Sequence, residues 1–139
     1  INELKQKYTM ELVHTYCKPR FYHEYALSRL KSEGYMLGCA SNSIKESIEV
    51  MLLKSNLIKY MDVIYSAQDV LKPKPDPDIY IKAISTLGMT PEECLVIEDN
   101  ENGIKAAKDS GAHVMVVKEV SEVNFINIKQ KIDQINKKL

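Results

Sequence analysis

Residues 94–112 have the sequence CLVIEDNENGIKAAKDSGA, and this stretch decides the fold. It begins with a short apolar run rich in β-branched residues, which predicts a buried strand. Glu98 and Asp99 follow this run directly. Asn100 is then placed to cap a helix, and Gly111 is placed to end it. The pattern therefore puts two carboxylates at the carboxyl end of a strand, where open α/β sheets bind their ligands.

The two carboxylates allow two interpretations. Mg²⁺ is bound by carboxylate oxygens and keeps waters or phosphate oxygens as its other ligands, so Glu98 and Asp99 are candidate metal ligands. Solvated acidic side chains at a turn are also favoured beside a helix N-terminus, because the helix dipole attracts negative charge there. The residues of this stretch alone leave both interpretations open.

The rest of the chain repeats the alternation of strand and helix. Apolar runs predict further strands, and helical periodicity predicts helices between and around them. The predicted strands are 35–40, 62–66, 94–97 and 113–117, and the predicted helices include 1–16, 22–33, 44–54, 78–87 and 121–138. This alternation predicts an α/β fold with parallel strands, right-handed crossovers and helices that cover the sheet.

Length and composition describe one globular domain and argue against two classes of partner. The 139 residues include 19 basic and 19 acidic side chains, so net charge offers no basis for binding nucleic acid or an anionic membrane. No apolar run reaches the roughly 18 residues that a membrane-spanning helix needs. The three cysteines are odd in number and lack a metal-binding spacing, which predicts a protein of the reducing cytoplasm.

Three small polar residues, Ser41, Asn42 and Ser43, follow the predicted strand 35–40 and precede a predicted helix. All three residue types favour a helix N-cap, which is one explanation of the pattern. A hydroxyl and backbone N–H groups at a strand-to-helix turn also suit a phosphate group, which is the other explanation.

A proline-rich loop follows the predicted strand 62–66. Its sequence at 72–78, KPKPDPD, is stiff because proline fixes its own φ and restricts the residue before it. A stiff loop can hold a lysine in a defined position, and Lys72 and Lys74 are the candidates. The alternative is an exposed loop lysine without a functional role.

These features are expected to meet, because the carboxyl ends of parallel strands lie at one edge of a sheet. One strand end supplies Ser41 and Asn42, the stiff loop supplies a lysine, and another strand end supplies the acid pair. Such a set suits a phosphoryl group together with Mg²⁺. The serine and backbone amides hold oxygens, the lysine offsets negative charge, and the acids hold the metal.

Three motifs in this order resemble those of the haloacid dehalogenase superfamily, in particular its phosphatase and β-phosphoglucomutase-like branch. The family's Ser/Thr-Asn motif after an apolar strand corresponds to 39–43, its Lys-Pro-x-Pro-Asp motif to 74–78, and its Glu-Asp motif with a following Gly-Ile to 98–104. Lys72 fits the lysine motif less well than Lys74. The resemblance implies a three-layer, Rossmann-like parallel sheet with helices on both faces.

The resemblance also implies roles for these residues in a Mg²⁺-dependent phosphatase or phosphomutase that acts on a small phosphorylated metabolite. Ser41 would bind phosphoryl oxygens, and Asn42 would help to orient the phosphate. Lys74 would pair with the phosphoryl group and with the nucleophilic carboxylate. Asp99 would ligate Mg²⁺, and Glu98 would be a second ligand or would lie directly behind the ligands.

One motif of the family has no counterpart. The family's nucleophile and general acid/base belong to an Asp-x-Asp-x-Thr/Val motif after the first strand, and no such motif follows a strand in this sequence. Asp76 and Asp78 have the spacing but lie in the proline loop. We therefore expect residues 1–18 to be the end of a helical cap or linker. Residues 19–139 are then the C-terminal part of a core domain whose first, central strand is missing.

An incomplete sheet affects the expected activity and partners. The chain alone is expected to be inactive, and to take up the missing N-terminal piece or to self-associate through its open strand edges. The alternative is a non-catalytic phosphate-binding or interaction module derived from such a hydrolase. A response-regulator-like receiver domain is disfavoured, because its early acid pair and its phosphoacceptor aspartate are absent from the sequence. The resemblance does not specify the substrate, since specificity in the family lies in the cap.

Overall fold

The computed structural model of the protein describes residues 21–137 as alternating strands and helices. The strands are β1 (Gly38–Ala40), β2 (Val63–Tyr65), β3 (Leu95–Glu98) and β4 (His113–Val116). The helices are α1 (Phe21–Ser32), α2 (Lys45–Lys54), α3 (Asp78–Thr86), α4 (Glu101–Asp109) and α5 (Phe125–Lys137). No helix in this range is long and apolar enough to cross a membrane. The predicted helix 1–16 and the predicted domain boundary after residue 18 lie outside the described residues.

The strands form two parallel pairs. β1 pairs with β2, with Gly38 beside Val63, and β3 pairs with β4, with Leu95 beside His113. No strand within residues 21–137 joins β1 to β3. This break lies where the resemblance places the central strand. The α/β fold with parallel strands is therefore confirmed, and its sheet is incomplete in the described part of the chain.

Alternate residues of the strands face two separate hydrophobic clusters. Leu95 and Ile97 pack in one cluster with residues of α1, α2 and α5, whereas Val96 packs in the other with residues of α3 and α4. All residues of β3 are buried, which explains why its sequence is a nearly continuous apolar run. Helices thus cover both faces of the strands, as the three-layer expectation requires.

Two helix ends show where local sequence signals were right and where they were incomplete. Gly111, predicted to end a helix, has a φ of 89° and lies in the left-handed region that favours glycine. The closing helix, predicted to begin at residue 121, begins instead at Phe125. Asn124 sets this start, because its Oδ1 accepts a hydrogen bond from the backbone N of Asn127 at 2.9 Å.

Asp62 connects α1, β1 and the start of β2. Its backbone N donates to the carbonyl of Leu37 at 2.7 Å, and its Oδ2 accepts from the backbone N of Leu37 at 2.8 Å. Lys31 of α1 binds the same carboxylate oxygen at 2.6 Å. Leu37 is fully buried, so its N–H depends on this carboxylate. The strand before the candidate site is thereby held in place.

We expect Asp62→Ala to lower the free energy of unfolding by about 1–3 kcal/mol, because it leaves the buried N–H of Leu37 without its acceptor. Urea denaturation of the protein measures the change. Asp109→Ala is the matched control, because Asp109 pairs with Lys105 at an exposed i,i+4 position of α4. It should cost no more than about 0.5 kcal/mol. Equal losses in the two variants would contradict the role given to Asp62.

Candidate functional site

A cavity of about 530 Å³ opens at the carboxyl ends of β1 and β3. Its walls come from the turn after β1, the proline loop and the start of α4. The lining residues are Ser41, Asn42, Ser43, Lys74, Asn100, Glu101 and Asn102. Three separated sequence motifs therefore contribute to one cavity, and the residues predicted to bind phosphate all line it. Lys72 is exposed in the loop and is not among the lining residues.

Ser41 is held directly at the end of β1. Its backbone N donates to the carbonyl of Tyr65 at 3.1 Å, and its Oγ accepts from the backbone N of Ser43 at 3.1 Å. The side chain does not cap the next helix. The residue before α2 is Ile44, and no side chain caps the helix there. The helix-cap explanation of this Ser-Asn-Ser turn is therefore wrong, because the Ser41 hydroxyl bonds within the turn.

Asn42 fixes the backbone of Lys74. Its Oδ1 accepts from the backbone N of Lys74 at 3.1 Å, and its Nδ2 donates to the backbone carbonyl of Lys74 at 3.3 Å. These reciprocal bonds join the end of β1 to the proline loop across 32 positions of sequence. The lysine is thus held both by its stiff loop and by an asparagine side chain.

The Lys74 side chain reaches across to β3. Its Nζ donates to the carbonyl of Ala40 at 2.9 Å and to Glu98 Oε2 at 3.0 Å. Only 2% of the Lys74 side chain and 1% of the Glu98 side chain are exposed to solvent. Burial lowers the pKa of Lys74 to about 8, although the negative charges of Glu98 and Asp99 oppose this shift. The lysine therefore remains mainly protonated at neutral pH, and its charge is poorly screened by water.

The two neighbouring acids have different environments. Glu98 Oε2 accepts from Lys74 and from the Tyr80 hydroxyl, while Oε1 accepts from the backbone N of Asp99 at 3.0 Å. Both oxygens of Glu98 are thus occupied by protein donors. Asp99 is exposed at the strand end. The structure therefore separates a buried partner of the lysine from an accessible carboxylate, a distinction that the sequence pattern leaves open.

The described residues could supply only part of a Mg²⁺ site. Within residues 21–137, no three His, Cys, Asp or Glu side chains are grouped so that they could hold a metal ion. Mg²⁺ is often bound through one or two carboxylates, with water and phosphate oxygens completing its shell. Asp99 fits the role of one such carboxylate. Glu98, whose oxygens accept from Lys74, Tyr80 and the backbone, remains a candidate for a second ligand or for a position directly behind the ligands.

Gly103 allows Glu98 to occupy its position. A Cβ at residue 103 would overlap the carboxyl carbon and Oε2 of Glu98. Asn100 fixes the start of the same helix, because its Oδ1 accepts from the backbone N of Gly103 at 2.8 Å. This confirms the predicted cap at Asn100. The sequence motif contains Gly103, but only the tertiary packing shows why the residue must be small.

Tyr80 is a site residue that the sequence analysis missed. Its hydroxyl donates to Glu98 Oε2 at 2.6 Å, and its side chain is completely buried. The available signal was an aromatic residue in the first turn of the helix that follows the lysine motif. This signal is weak, because an aromatic residue on an apolar helix face is ordinarily a core residue.

We expect Gly103→Ala to displace the Glu98 carboxylate and to destabilise the protein by about 1–3 kcal/mol through overpacking. Thermal or urea unfolding of the protein measures the loss. Lys105→Ala on the same helix is the matched control, because its side chain is 64% exposed. A Gly103→Ala protein that is as stable as the control would show that Glu98 does not occupy the position described.

We expect the Lys74 ammonium to titrate with a midpoint of about pH 8 because its charge is buried. The positive charge is present below this pH and is lost as the pH rises through it, so affinity for an anion in the cavity should fall above pH 8. NMR of the protein with ¹⁵N-labelled lysine follows the titration, and Lys74→Arg identifies the signal. A midpoint near the ordinary lysine value of about 10.4 would contradict this expectation.

Comparison with known proteins agrees with these motifs. The chain matches the family model for haloacid dehalogenase-like hydrolases over residues 1–117. It is 33% identical to the phosphoglycolate phosphatase of Aquifex aeolicus over 109 aligned residues. This alignment covers 78% of the chain and 51% of the phosphatase. It is 32% identical to the pyrophosphatase PpaX of Bacillus velezensis over 85 aligned residues. This alignment covers 61% of the chain and 39% of the pyrophosphatase.

The fold is similar to that of a solved enzyme. The crystal structure of β-phosphoglucomutase from Clostridium difficile matches with a TM-score of 0.72 and 25% identity, over 84% of this chain and 56% of that one. The matched region thus spans between 39% and 56% of the length of these proteins. Because the family model covers most of the sequence, the resemblance that the three motifs indicate is confirmed: the chain belongs to the haloacid dehalogenase-like hydrolase family.

Proposed function

We propose that this chain is part of a Mg²⁺-dependent phosphatase or phosphomutase that acts on a small phosphorylated metabolite. The observation that supports this most strongly is the buried, paired Lys74 at a cavity that Ser41 and Asn42 also line. A desolvated cation beside small polar groups favours a compact anion, because electrostatic interactions are strong where water is excluded. A phosphoryl group has this size and charge.

Each lining residue then has a distinct role. Ser41 donates its hydroxyl to a phosphoryl oxygen while its Oγ keeps the hydrogen bond from the backbone of Ser43. Lys74 offsets the negative charge that is concentrated on the phosphoryl oxygens during transfer. Asn42 orients the phosphate site mainly by holding the Lys74 backbone. Lys74 and Ser41 are thus the proposed catalytic residues within this sequence.

The nucleophile is proposed to come from a segment other than these motifs. The family resemblance implies attack on phosphorus by the first aspartate of an Asp-x-Asp motif, and no such motif follows a strand in the 139 residues. We propose that the strand that bears it pairs between β1 and β3, where the described strands leave a break. Self-association through those edges is the alternative when this segment is absent.

The proposed metal ion is held in part by Asp99. Glu98 would support the site from behind, because its oxygens already accept from Lys74, Tyr80 and the backbone. Bound Mg²⁺ would supply charge stabilisation to the phosphoryl oxygens. The remaining ligands would be water, phosphate and groups outside the described residues.

The names of the related proteins support a class of substrate and do not identify a single compound. The names phosphoglycolate phosphatase, pyrophosphatase and β-phosphoglucomutase denote enzymes that act on different small phosphorylated compounds. These names support a small phosphorylated substrate for this protein without selecting one, and they support hydrolysis and phosphoryl transfer alike. Specificity is proposed to lie in residues that close the cavity from outside the described range.

A second candidate is a phosphate-binding or interaction module without catalysis. Two observations together favour it. The predicted phosphate-binding residues Ser41, Asn42 and Lys74 all line the cavity, whereas the sequence lacks the nucleophilic motif. The two candidates differ in turnover. Both bind inorganic phosphate, whereas only the enzyme hydrolyses p-nitrophenyl phosphate.

By the full-length protein we mean residues 1–139 together with the proposed strand that bears the Asp-x-Asp motif. We expect this protein to hydrolyse p-nitrophenyl phosphate with Mg²⁺, and residues 1–139 alone to show no turnover, because the nucleophilic aspartate is missing from them.

Lys74→Met in the full-length protein should lower kcat by about 100-fold, since it removes one charge that stabilises the transition state. Asp99→Asn should raise the Mg²⁺ concentration needed for half-maximal rate. The rate is measured against Mg²⁺ concentration for each variant.

Lys72→Met is the matched control for Lys74→Met, because Lys72 is an exposed lysine of the same loop. It should keep the kcat of the unaltered protein. If residues 1–139 alone hydrolyse the substrate and Asp99→Ala abolishes this turnover, the nucleophile must be a residue within these 139. Phosphate binding by the full-length protein without any turnover would instead support the non-catalytic module.

A further inference from the structure

Tyr80 contacts both members of the buried ion pair. It lies in the first turn of α3 with no exposed surface. Its hydroxyl donates to Glu98 Oε2 at 2.6 Å, the same oxygen that accepts from Lys74 Nζ at 3.0 Å. Its ring centre lies 4.8 Å from Lys74 Nζ, within the range of a cation–π interaction. One side chain therefore contacts the anion through its hydroxyl and the cation through its ring.

These contacts restrict the direction of the lysine ammonium. Glu98 Oε1 accepts from the backbone N of Asp99, and Oε2 accepts from both Lys74 and Tyr80. The Tyr80 hydroxyl is thus the donor that holds Oε2 in place beside the lysine from a second direction. Burial raises the pKa of the Tyr80 hydroxyl well above its ordinary value, so the hydroxyl stays a donor. Lys74 Nζ is in turn bound by Glu98 and by the carbonyl of Ala40. Fixing two of the three N–H directions of an ammonium also fixes the third.

We propose that Tyr80 is a positioning residue for phosphoryl transfer, which holds Glu98 through its hydroxyl and Lys74 through its ring so that the ammonium keeps one orientation toward the cavity. The proposal rests on the function proposed above. It extends the site beyond the three motifs to a side chain on the adjacent helix, and it gives the two parts of that side chain separate tasks. The ring supports the cation, and the hydroxyl orients the anion.

The test is Tyr80→Phe in the full-length protein, because phenylalanine keeps the ring and removes the hydroxyl. We expect kcat to fall about tenfold with KM for p-nitrophenyl phosphate changed less than about twofold, since the hydroxyl acts on a group that matters most in the transition state. Tyr80→Leu, which also removes the ring, should lower kcat further. Tyr35→Phe is the matched control, because Tyr35 is buried and its hydroxyl contacts Lys129 away from the cavity.

A second readout does not depend on turnover. In protein labelled with ¹⁵N-lysine, an ammonium held by buried partners exchanges its protons slowly enough to give a signal, which Lys74→Arg should remove. We expect this signal to broaden or disappear in Tyr80→Phe and to persist in Tyr35→Phe. A Tyr80→Phe protein that keeps both the unaltered Lys74 signal and the unaltered kcat would overturn the proposal.

The two proposals can fail separately. If the full-length protein without substitutions has no turnover, the proposed enzymatic function fails, while the Lys74 signal still decides whether Tyr80 orients the lysine. If Tyr80→Phe does not fold, the decision comes from the unaltered protein. There the Tyr80 hydroxyl proton should give a slowly exchanging NMR signal with a cross-peak to the Lys74 ammonium. Its absence would overturn the proposal.

Discussion

The buried ion pair between Lys74 and Glu98 is the interaction on which the candidate site depends. It connects the proline loop to the end of β3, and the bond from Lys74 to the carbonyl of Ala40 adds the end of β1. The two parallel strand pairs, which no strand joins within residues 21–137, are thus linked at their carboxyl ends by one side chain. A buried ion pair contributes little net stability, because desolvation offsets its attraction. What the pair provides here is a lysine ammonium in a fixed position at the residues that line the cavity.

Three residues outside the ion pair help to hold it in place. Asn42 holds the lysine backbone, Gly103 leaves room for the Glu98 carboxylate, and Tyr80 contacts both charges. Removing one partner of such a pair leaves an uncompensated charge in the interior, which is strongly unfavourable. The residue types at these positions are therefore coupled through packing and hydrogen bonding, although they lie in three distant parts of the sequence.

The different environments of Glu98 and Asp99 explain how adjacent acids can have different tasks. Successive residues at the end of a strand point in opposite directions, so one carboxylate turns inward to the lysine and the other reaches solvent. The inward acid maintains the charge of Lys74 against the effect of burial, which alone would lower its pKa further. The outward acid remains accessible to a hydrated cation.

The sequence by itself determined the local elements, the family and the edge at which the polar residues gather. The cap at Asn100 and the left-handed end at Gly111 depend on interactions between near neighbours, which a sequence pattern contains. The tertiary structure decided which acid is buried, why residue 103 must be glycine, and that Tyr80 belongs to the site. These outcomes depend on contacts between residues far apart in sequence, such as the 24 positions that separate Lys74 from Glu98. Such contacts are set by the packing of whole helices and strands, which no local pattern specifies.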